Sequence, residues 1–577
     1  LKGSMIEIKE ADNIAFDGIC FEKTRGNAVS AQNVENITIS DCTFKNIGVD
    51  ALSFTGTALA ETDKNYWQRQ NVDAVYNCEV SDNTFFNIGG HAVVMDGGNV
   101  DTLTPGNNVI KNNIFNRCAQ TIKNYETIKL LGCGNSILNN NISCASFSAI
   151  RHYGNDHVIS YNEIYNVIQE TDDSGAIYCG RNTVQRGTVI SYNYLHDLYS
   201  TEELPFAHQP AIYWDDNQTG MKAEYNIIKD AKINIYTNGI DNNFSNNTSI
   251  NIKKTNMDIK NGGAASNTNT EQSTFAGDIA NESLYFEKYA NLSSIISSAS
   301  LTSPDLARYN ILKDNLNVAG TGADGIGSNT AAYGTVSNNT NSSDMSIFVD
   351  AANQDYRVKN SSAYAATVLN EDFDIEKIGV VSNNAFNTEK VTLAAPFNGE
   401  KTNADKIHFV WNYALGATSY KITVAKDANF TDIAASKEVF YNYADIDVER
   451  DSSRYYWKVE ARNTSREFAA VWQSDVYSFV NGEKISVTAG LNADNTVSVN
   501  VINNFYEDGK NADVYIAQYD GGGRLLAVNK AEVALDYMTE TVLTENDVDL
   551  SISSQAAKVK IFVWEGETPL ADPTSVK

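Results

Sequence analysis

The sequence predicts an all-β fold, a right-handed parallel β-helix followed by two small β-sandwiches. Short isoleucine-rich segments return along the first half of the chain and align on one polar position. They include ITISDCTF (37–44), VSDNTF (80–85), IKNNIF (110–115), ILNNNI (137–142), ISYNEI (159–164), ISYNYL (190–195) and AEYNII (223–228). The shared position holds Cys42, Asn83, Asn113, Asn140, Asn162, Asn193 and Asn226, and Asn247 continues the series. A second observation is the change of period from about residue 388, where strands begin to alternate at sandwich spacing.

Spacings of 41, 30, 27, 22, 31, 33 and 21 residues between the aligned positions describe a coil of about 21–23 residues with insertions at its corners. Each coil adds one rung of strands, about 4.8 Å. Asparagine suits a stacked turn because it tolerates left-handed backbone geometry and its amide can bond to the asparagine above and below.

The solenoid pattern weakens after about 255, so residues 1–385 are assigned to the β-helix with 256–345 as an irregular insertion and cap. In that stretch 284–301 reads as helical, and 336–340 with 348–365 reads as a last rung and terminal cover for the edge strands. Residues 386–481 carry KIHFVWNY (406–413), SYKITVAK (419–426), RYYWKVEARN (454–463) and VYSFV (476–480). With Trp411 on one strand and Tyr456 and Trp457 on another, this stretch resembles a fibronectin type III module with a two-sheet core. Residues 482–577 read as a second sandwich in which DGGGR (520–524) is a hairpin turn.

The 577 residues carry 72 acidic against 44 basic side chains, a net charge of −28. That balance argues against nucleic acid or an anionic membrane as partner, but a local basic patch still permits an acidic polysaccharide. No apolar run is long enough to span a bilayer. The chain starts in solenoid pattern at Leu1, so a secreted, extracellular form whose signal peptide lies upstream is expected. All seven cysteines fall between Cys20 and Cys179 with no C-x-x-C pair, which predicts free core thiols rather than a zinc site.

Five of the six histidines, His91, His152, His157, His196 and His208, lie in the middle coils. There ETIKLLG (126–132), AIRHYG (149–154), AIYCGR (176–181) and AIYWDD (211–216) read as one strand in four successive coils. Period-two alternation makes Ile128, Ile150, Ile177 and Ile212 an inward stack, and Lys129, Arg151, Tyr178 and Tyr213 an outward ladder. Asp173 lies just upstream of Ile177, and Asp215 lies two residues beyond Tyr213. The predicted face therefore holds carboxylates (Asp173, Asp215, Asp216), cations (Lys129, Arg151, Arg181) and tyrosines.

Glycoside hydrolysis needs two carboxyl groups flanking the scissile bond, one protonated and one ionised. Neighbouring coils can supply them at about 5–9 Å, which spans both stereochemical outcomes. Bland readings compete at each position. Asp172 and Asp173 before Ser-Gly can simply shape a turn. Asp215 and Asp216 can be turn formers or a calcium pair. His152 has inward phase, and His196 with Asp197 can be a hydrogen-bonded structural pair.

The run from GNDH (154–157) through ETDDSGAIYCGR (170–181), RGTVISYNYLHD (186–197) and AIYWDDNQTG (211–220) resembles right-handed parallel β-helix enzymes of glycoside hydrolase family 141. The resemblance covers roughly residues 10–255. Trp214 and Thr219 depart from the family's usual Leu and Ser. It implies action on plant cell-wall glycans, including fucosides of pectin and xylan, by a pair of aspartates, Asp173 with Asp215 or Asp216. Arg151, His152, Glu170, Tyr178, Arg181, His196, Tyr213, Trp214 and Lys129 are the expected substrate contacts. No cofactor is required, although the acid cluster allows a structural calcium. The partner is a polysaccharide or oligosaccharide, with glycan or cell-wall contact through the C-terminal modules. Two rival readings are a polysaccharide lyase, using Lys129, Arg151 or Arg181 with calcium, and a non-catalytic glycan-binding adhesin.

Overall fold

The computed structural model describes residues 3–58, 71–72, 75–180, 185–198, 208–215, 218–261, 282–293, 308–381, 390–506 and 509–576. Two compact units comprise it: Leu1–Asn387 with Thr464–Ala469, and Thr388–Asn463 with Ala470–Lys577.

In the first unit the described residues form three long parallel sheets of 11, 12 and 11 strands, and consecutive strands of the chain pass from one sheet to the next. Every coil thus contributes a strand to each sheet and stacks on the coil before it, which is a parallel β-helix. Within sheet 1, Ile128, Ile150, Ile177, Ile212 and Ile235 occupy one register and are fully buried. Burying each contributes about 1.5–3 kcal/mol. Sheet 3 repeats the device with stacked rings, Phe21, Phe44, Phe85 and Phe115, at centroid spacings of 5.0, 4.9 and 4.7 Å.

The asparagine ladder forms the corner between sheets 2 and 3. Amide-to-amide bonds run from Asn83 through Asn113, Asn140, Asn162, Asn193, Asn226 and Asn247 at 2.9–3.0 Å. They continue through Asn315 to Asn339, at 3.2 and 2.8 Å. The left-handed backbone falls one residue earlier than expected, on Asp82, Asn112, Asn139, Tyr161, Tyr192, Tyr225 and Asn246. The ladder asparagines act through their amides and their backbone N–H groups, which also donate to the next Oδ1. A second ladder at the sheet 1 to sheet 2 corner joins Asn108 to Asn135, whose backbone N–H donates to His157 Nδ1. His157 therefore replaces an asparagine, and its Nε2–H donates to the Tyr153 carbonyl at 3.0 Å.

Two expectations about the end of the solenoid are corrected. Strands Ile311–Lys313, Leu316–Val318 and Ala323–Ile326 are regular rungs rather than an irregular insertion, and Thr335–Ser337 and Thr340–Ser342 form the last rung as expected. The intervening insertion puts 68 residues between Asn247 and Asn315, which hid the first three strands. Residues 348–378 form no end cover. They run back along the side of sheet 3, where Phe348, Tyr356, Val358, Leu369 and Ile378 pack on Tyr194, Ile227, Ile250 and Leu316. The outer side of sheet 3 is apolar in these coils and must be covered. Of the region read as helical, Glu282–Lys288 is α-helix, and 294–301 lies outside the described residues.

Glu163 is fully buried on sheet 3, accepting from Asn141 Nδ2 (3.0 Å), Ser465 Oγ (2.7 Å) and the Arg466 N–H. Beside it, burial and then the Glu163 charge lift Glu467 to about 8, against the Val380 N–H and Arg466. Folded Glu467 therefore keeps a proton that the unfolded chain gives up near pH 4.5, so its contribution to stability falls as pH rises from there to about 8. Glu467→Gln is expected to melt above the wild type at pH 8 and level with it near pH 4. Thermal denaturation at both pH values checks this.

All seven cysteines are free, and all but Cys20 are buried. Burial pushes the Cys78 thiol up to about 11.

In the second unit Trp411, Trp457, Phe409, Tyr420 and Tyr455 fill the core of one sandwich. Tyr455 points inward beside Trp457, and Tyr456 outward, as alternation requires. A further sandwich is built on strands Ile485–Leu491, Val497–Asn503, Lys510–Tyr519, Leu525–Leu535 and Lys558–Glu565. Its Asp520–Arg524 turn closes the expected hairpin, with Asp520 N–H donating to the Arg524 carbonyl.

Candidate active-site face

On the outer side of sheet 1 one register position holds Lys129, Arg151, Tyr178, Tyr213, Tyr236 and Asp258 in successive coils. Inward isoleucines fix that phase. The hydroxyl of Tyr178 donates to Asp215 Oδ2 at 3.1 Å, and that of Tyr213 donates to Asp173 Oδ1 at 2.9 Å. The two rings meet edge to face at 5.1 Å. Two carboxylates are thus tied to two adjacent tyrosines on neighbouring coils. Burial first, then Asp215 and Asp173, push the Tyr213 phenol far up. Both acids face that hydroxyl.

Asp172 and Asp173 are placed differently. Asp172 Oδ1 accepts the backbone N–H groups of Asp173 (3.0 Å) and His208 (2.8 Å), tying two corner segments together. Asp173 has a left-handed backbone and an exposed side chain. Asp215 is 8% exposed.

The Arg151 guanidinium lies 4.7 Å from the centre of the Tyr178 ring and donates to Glu126 Oε1 at 2.6 Å. Burial draws the Lys129 amine below its ordinary value, and the Arg151 charge adds to this, while Glu126 opposes it. Glu170 sits at the upstream corner, paired with Lys123 at 2.6 Å. Arg181 and Asp216 lie outside the described residues.

Three expected contacts are elsewhere. His152 and Trp214 point into the coil interior, at 0% and 1% exposure, because their neighbours Arg151 and Tyr213 point out. Burial and then His157 lower His152 to about 3, so it is a neutral core histidine. His196 belongs to sheet 3, not sheet 1. It stacks between Tyr165 and Tyr194 and bonds Asp197 (3.0 Å) and Glu163 (3.2 Å), fully buried. Burial works against its charge, but those two acids outweigh it and hold the imidazole above its usual range.

Sequence reasoning gave no role to several residues of this face, although His91 and His208 stood in its histidine cluster. His208 packs edge-on against Tyr213 (5.0 Å) and Tyr236 (4.6 Å). Burial keeps it below the ordinary histidine value, although Asp173 pulls the other way. Asp50, His91 and Glu126 each stand two residues before aligned inward positions Leu52, Val93 and Ile128. Carrying the strand alignment two residues upstream would have found them. Among the described residues no group of three or more His, Cys, Asp or Glu side chains is arranged to hold a metal ion, and no described helix is long and apolar enough to cross a membrane.

Among solved structures, the chain is similar to the BSP domain of a biofilm-associated protein at 12% identity, covering 33% of this chain and 29% of that one, with a TM-score of 0.13. It is also similar to the enzymatically active domain of bacteriophage CBA120 tailspike protein 2, at 8% identity over 96% of this chain and 79% of that one, with a TM-score of 0.19. Superposition that poor carries no argument. No curated protein matches the sequence. The family model described as "right handed beta helix region" matches residues 4–125, in accord with the right-handed parallel β-helix.

Proposed function

We propose that the chain is a secreted glycoside hydrolase that cleaves a plant cell-wall glycan, of pectic-fucoside or xylan type, on the outer face of sheet 1. The observation that carries this is the pairing of Tyr178 with Asp215 and of Tyr213 with Asp173. A hydroxyl donor favours the ionised carboxylate and fixes its direction, and the Arg151 charge behind Tyr178 adds to that for Asp215. The attacking or water-activating role is therefore given to Asp215, which has the Arg151 charge nearby, and the proton-donor role to Asp173. Tyr178 and Tyr213, 6% and 3% exposed, hold the two carboxylates in place rather than offering a stacking surface to a sugar. The resemblance to fibronectin type III is kept as a proposal for residues 386–481. Both C-terminal sandwiches are assigned to glycan or cell-wall contact.

A lyase reading draws on one observation, the lowered amine of Lys129 beside Arg151, which suits abstraction of a proton next to a uronate. Digestion of a panel of pectic and xylan fractions separates the readings. New reducing ends without unsaturated-uronate absorbance support the hydrolase. Absorbance supports the lyase, and glycan binding with neither signal supports an adhesin.

A further inference from the structure

Sheet 1 carries a line of charge that leads to Asp215 from coils distant from it. Asp50 Oδ1 meets His91 Nδ1 at 3.0 Å and also accepts the His91 backbone N–H at 2.9 Å. His91 Nε2 meets Glu126 Oε2 at 3.1 Å, and Glu126 Oε1 accepts from Arg151 Nη1 at 2.6 Å. Arg151 then lies over Tyr178, whose hydroxyl holds Asp215. His91 is 7% and Glu126 2% exposed, and Tyr125 stacks on His91 at 4.1 Å.

A carboxylate this buried costs several kcal/mol unless paired, and the coil does not require one at this position. Carried back two residues from Ile150, Ile177 and Ile212, the same register holds Ser148, Gly175 and Pro210. Glu126 is therefore a local specialisation where the cation beside the paired acids begins. We propose that Glu126 is a positioning residue: held by His91, it fixes the Arg151 guanidinium over Tyr178 and so sets the field and the hydroxyl that act on Asp215. This rests on the hydrolase reading.

Several charges bear on the outcome. Glu126 is faced by His91, Arg151 and Lys129, and Arg151 by Glu126, Tyr153 and Tyr178. Lys129 also feels Asp96 and Asp50. Asp215 is faced by Tyr178, Tyr213 and, from the interior, Cys179. With Glu126 made Gln, the amide oxygen can still accept from Arg151 and keep it near Tyr178, but the guanidinium charge is no longer offset and stabilises the Asp215 carboxylate more strongly, so Asp215 titrates lower. With Arg151 made neutral, Asp215 titrates higher.

The test is kcat and KM against pH for the wild type, Glu126→Gln, Arg151→Gln and the double variant, on whichever panel glycan is cleaved. Glu126→Gln is expected to lower kcat by about tenfold to a hundredfold, since small misplacements near the reacting groups cost that much. Its acid limb should move to lower pH, with no further effect when Arg151 is already Gln. An unmoved limb, or effects of the two substitutions that simply multiply, would overturn the proposal. Should Glu126→Gln fail to fold, Arg151→Gln alone must move the acid limb to higher pH, and an unmoved limb there overturns the proposal equally. A wild type that cleaves no glycan sinks the hydrolase reading and this proposal with it. An active wild type with an unmoved Glu126→Gln profile sinks only the proposal.

Discussion

Replacing Asp215 by Asn is expected to lower glycan turnover by at least about a thousandfold while the protein keeps its melting temperature. The amide preserves shape and can still accept from the Tyr178 hydroxyl, which now donates to Asp215 at 3.1 Å. It cannot carry the negative charge that attacks the anomeric carbon or activates water. Asp173→Asn should cost about a hundredfold to ten-thousandfold, the range for losing a positioned proton donor. That loss should shrink with substrates whose leaving group departs without protonation. Activated aryl glycosides run beside the natural glycan measure this. Substitution of His196, in contrast, should act on stability and leave KM and kcat of the surviving folded enzyme near the wild type, because it lies on sheet 3.

Asn162→Ala is expected to cost on the order of 3–6 kcal/mol, enough to melt the solenoid locally. Asn162 Oδ1 accepts the backbone N–H and the amide of Asn140, both at 3.0 Å. Its own amide donates to the carbonyls of Ile137 and Ser160 and to Asn193 Oδ1. Alanine removes the partner of the buried Asn140 N–H and breaks the amide ladder, while the Ser160 carbonyl keeps the Asn139 N–H and Asn193 Oδ1 keeps the backbone N–H of residue 162; each group left unpaired costs about 1–3 kcal/mol. In a stacked array the damage falls on the two flanking interfaces, so hydrogen exchange should accelerate in the coils around Asn140 and Asn193 first. Asn87→Ala is the matched control. Its amide bonds Asn46 at 2.7 Å in a half-buried setting, where water replaces the lost partner, and its left-handed backbone at a φ of 55° disfavours alanine, so the expected cost is about 1–2 kcal/mol.

The solenoid was legible because its signal is periodic and local. Asparagine at one register position, flanked by inward isoleucines, gave both the corner and the phase of sheet 1, so Lys129, Arg151, Tyr178 and Tyr213 fall on one face as alternation requires. Residues outside that period were not legible. The rungs from 311 to 326 were hidden by the insertion before them, and the side cover of sheet 3 has no repeat of its own.

The motif-based reading mixed architecture with chemistry. In GNDH, Gly154 is forced by close approach, since a Cβ there would lie 1.7 Å from the Gly132 carbonyl oxygen at a φ of 116°. Asp156 accepts from Tyr289 and pairs with Lys288, and His157 completes a ladder. None of these touches the paired aspartates. Trp214 and His152 were included among substrate contacts although the same alternation that turns Tyr213 and Arg151 outward turns them inward. Glu126 opens the aligned segment ETIKLLG, but the reading of the face began at the inward Ile128 and gave it no role.

Digestion in heavy-oxygen water, by the wild type and by Asp215→Asn, tests the central claim most directly. Hydrolysis at this face predicts one heavy oxygen at each new reducing end with the wild type, and no labelled product with the variant. Unsaturated fragments without label, or equal labelling by both proteins, would contradict it.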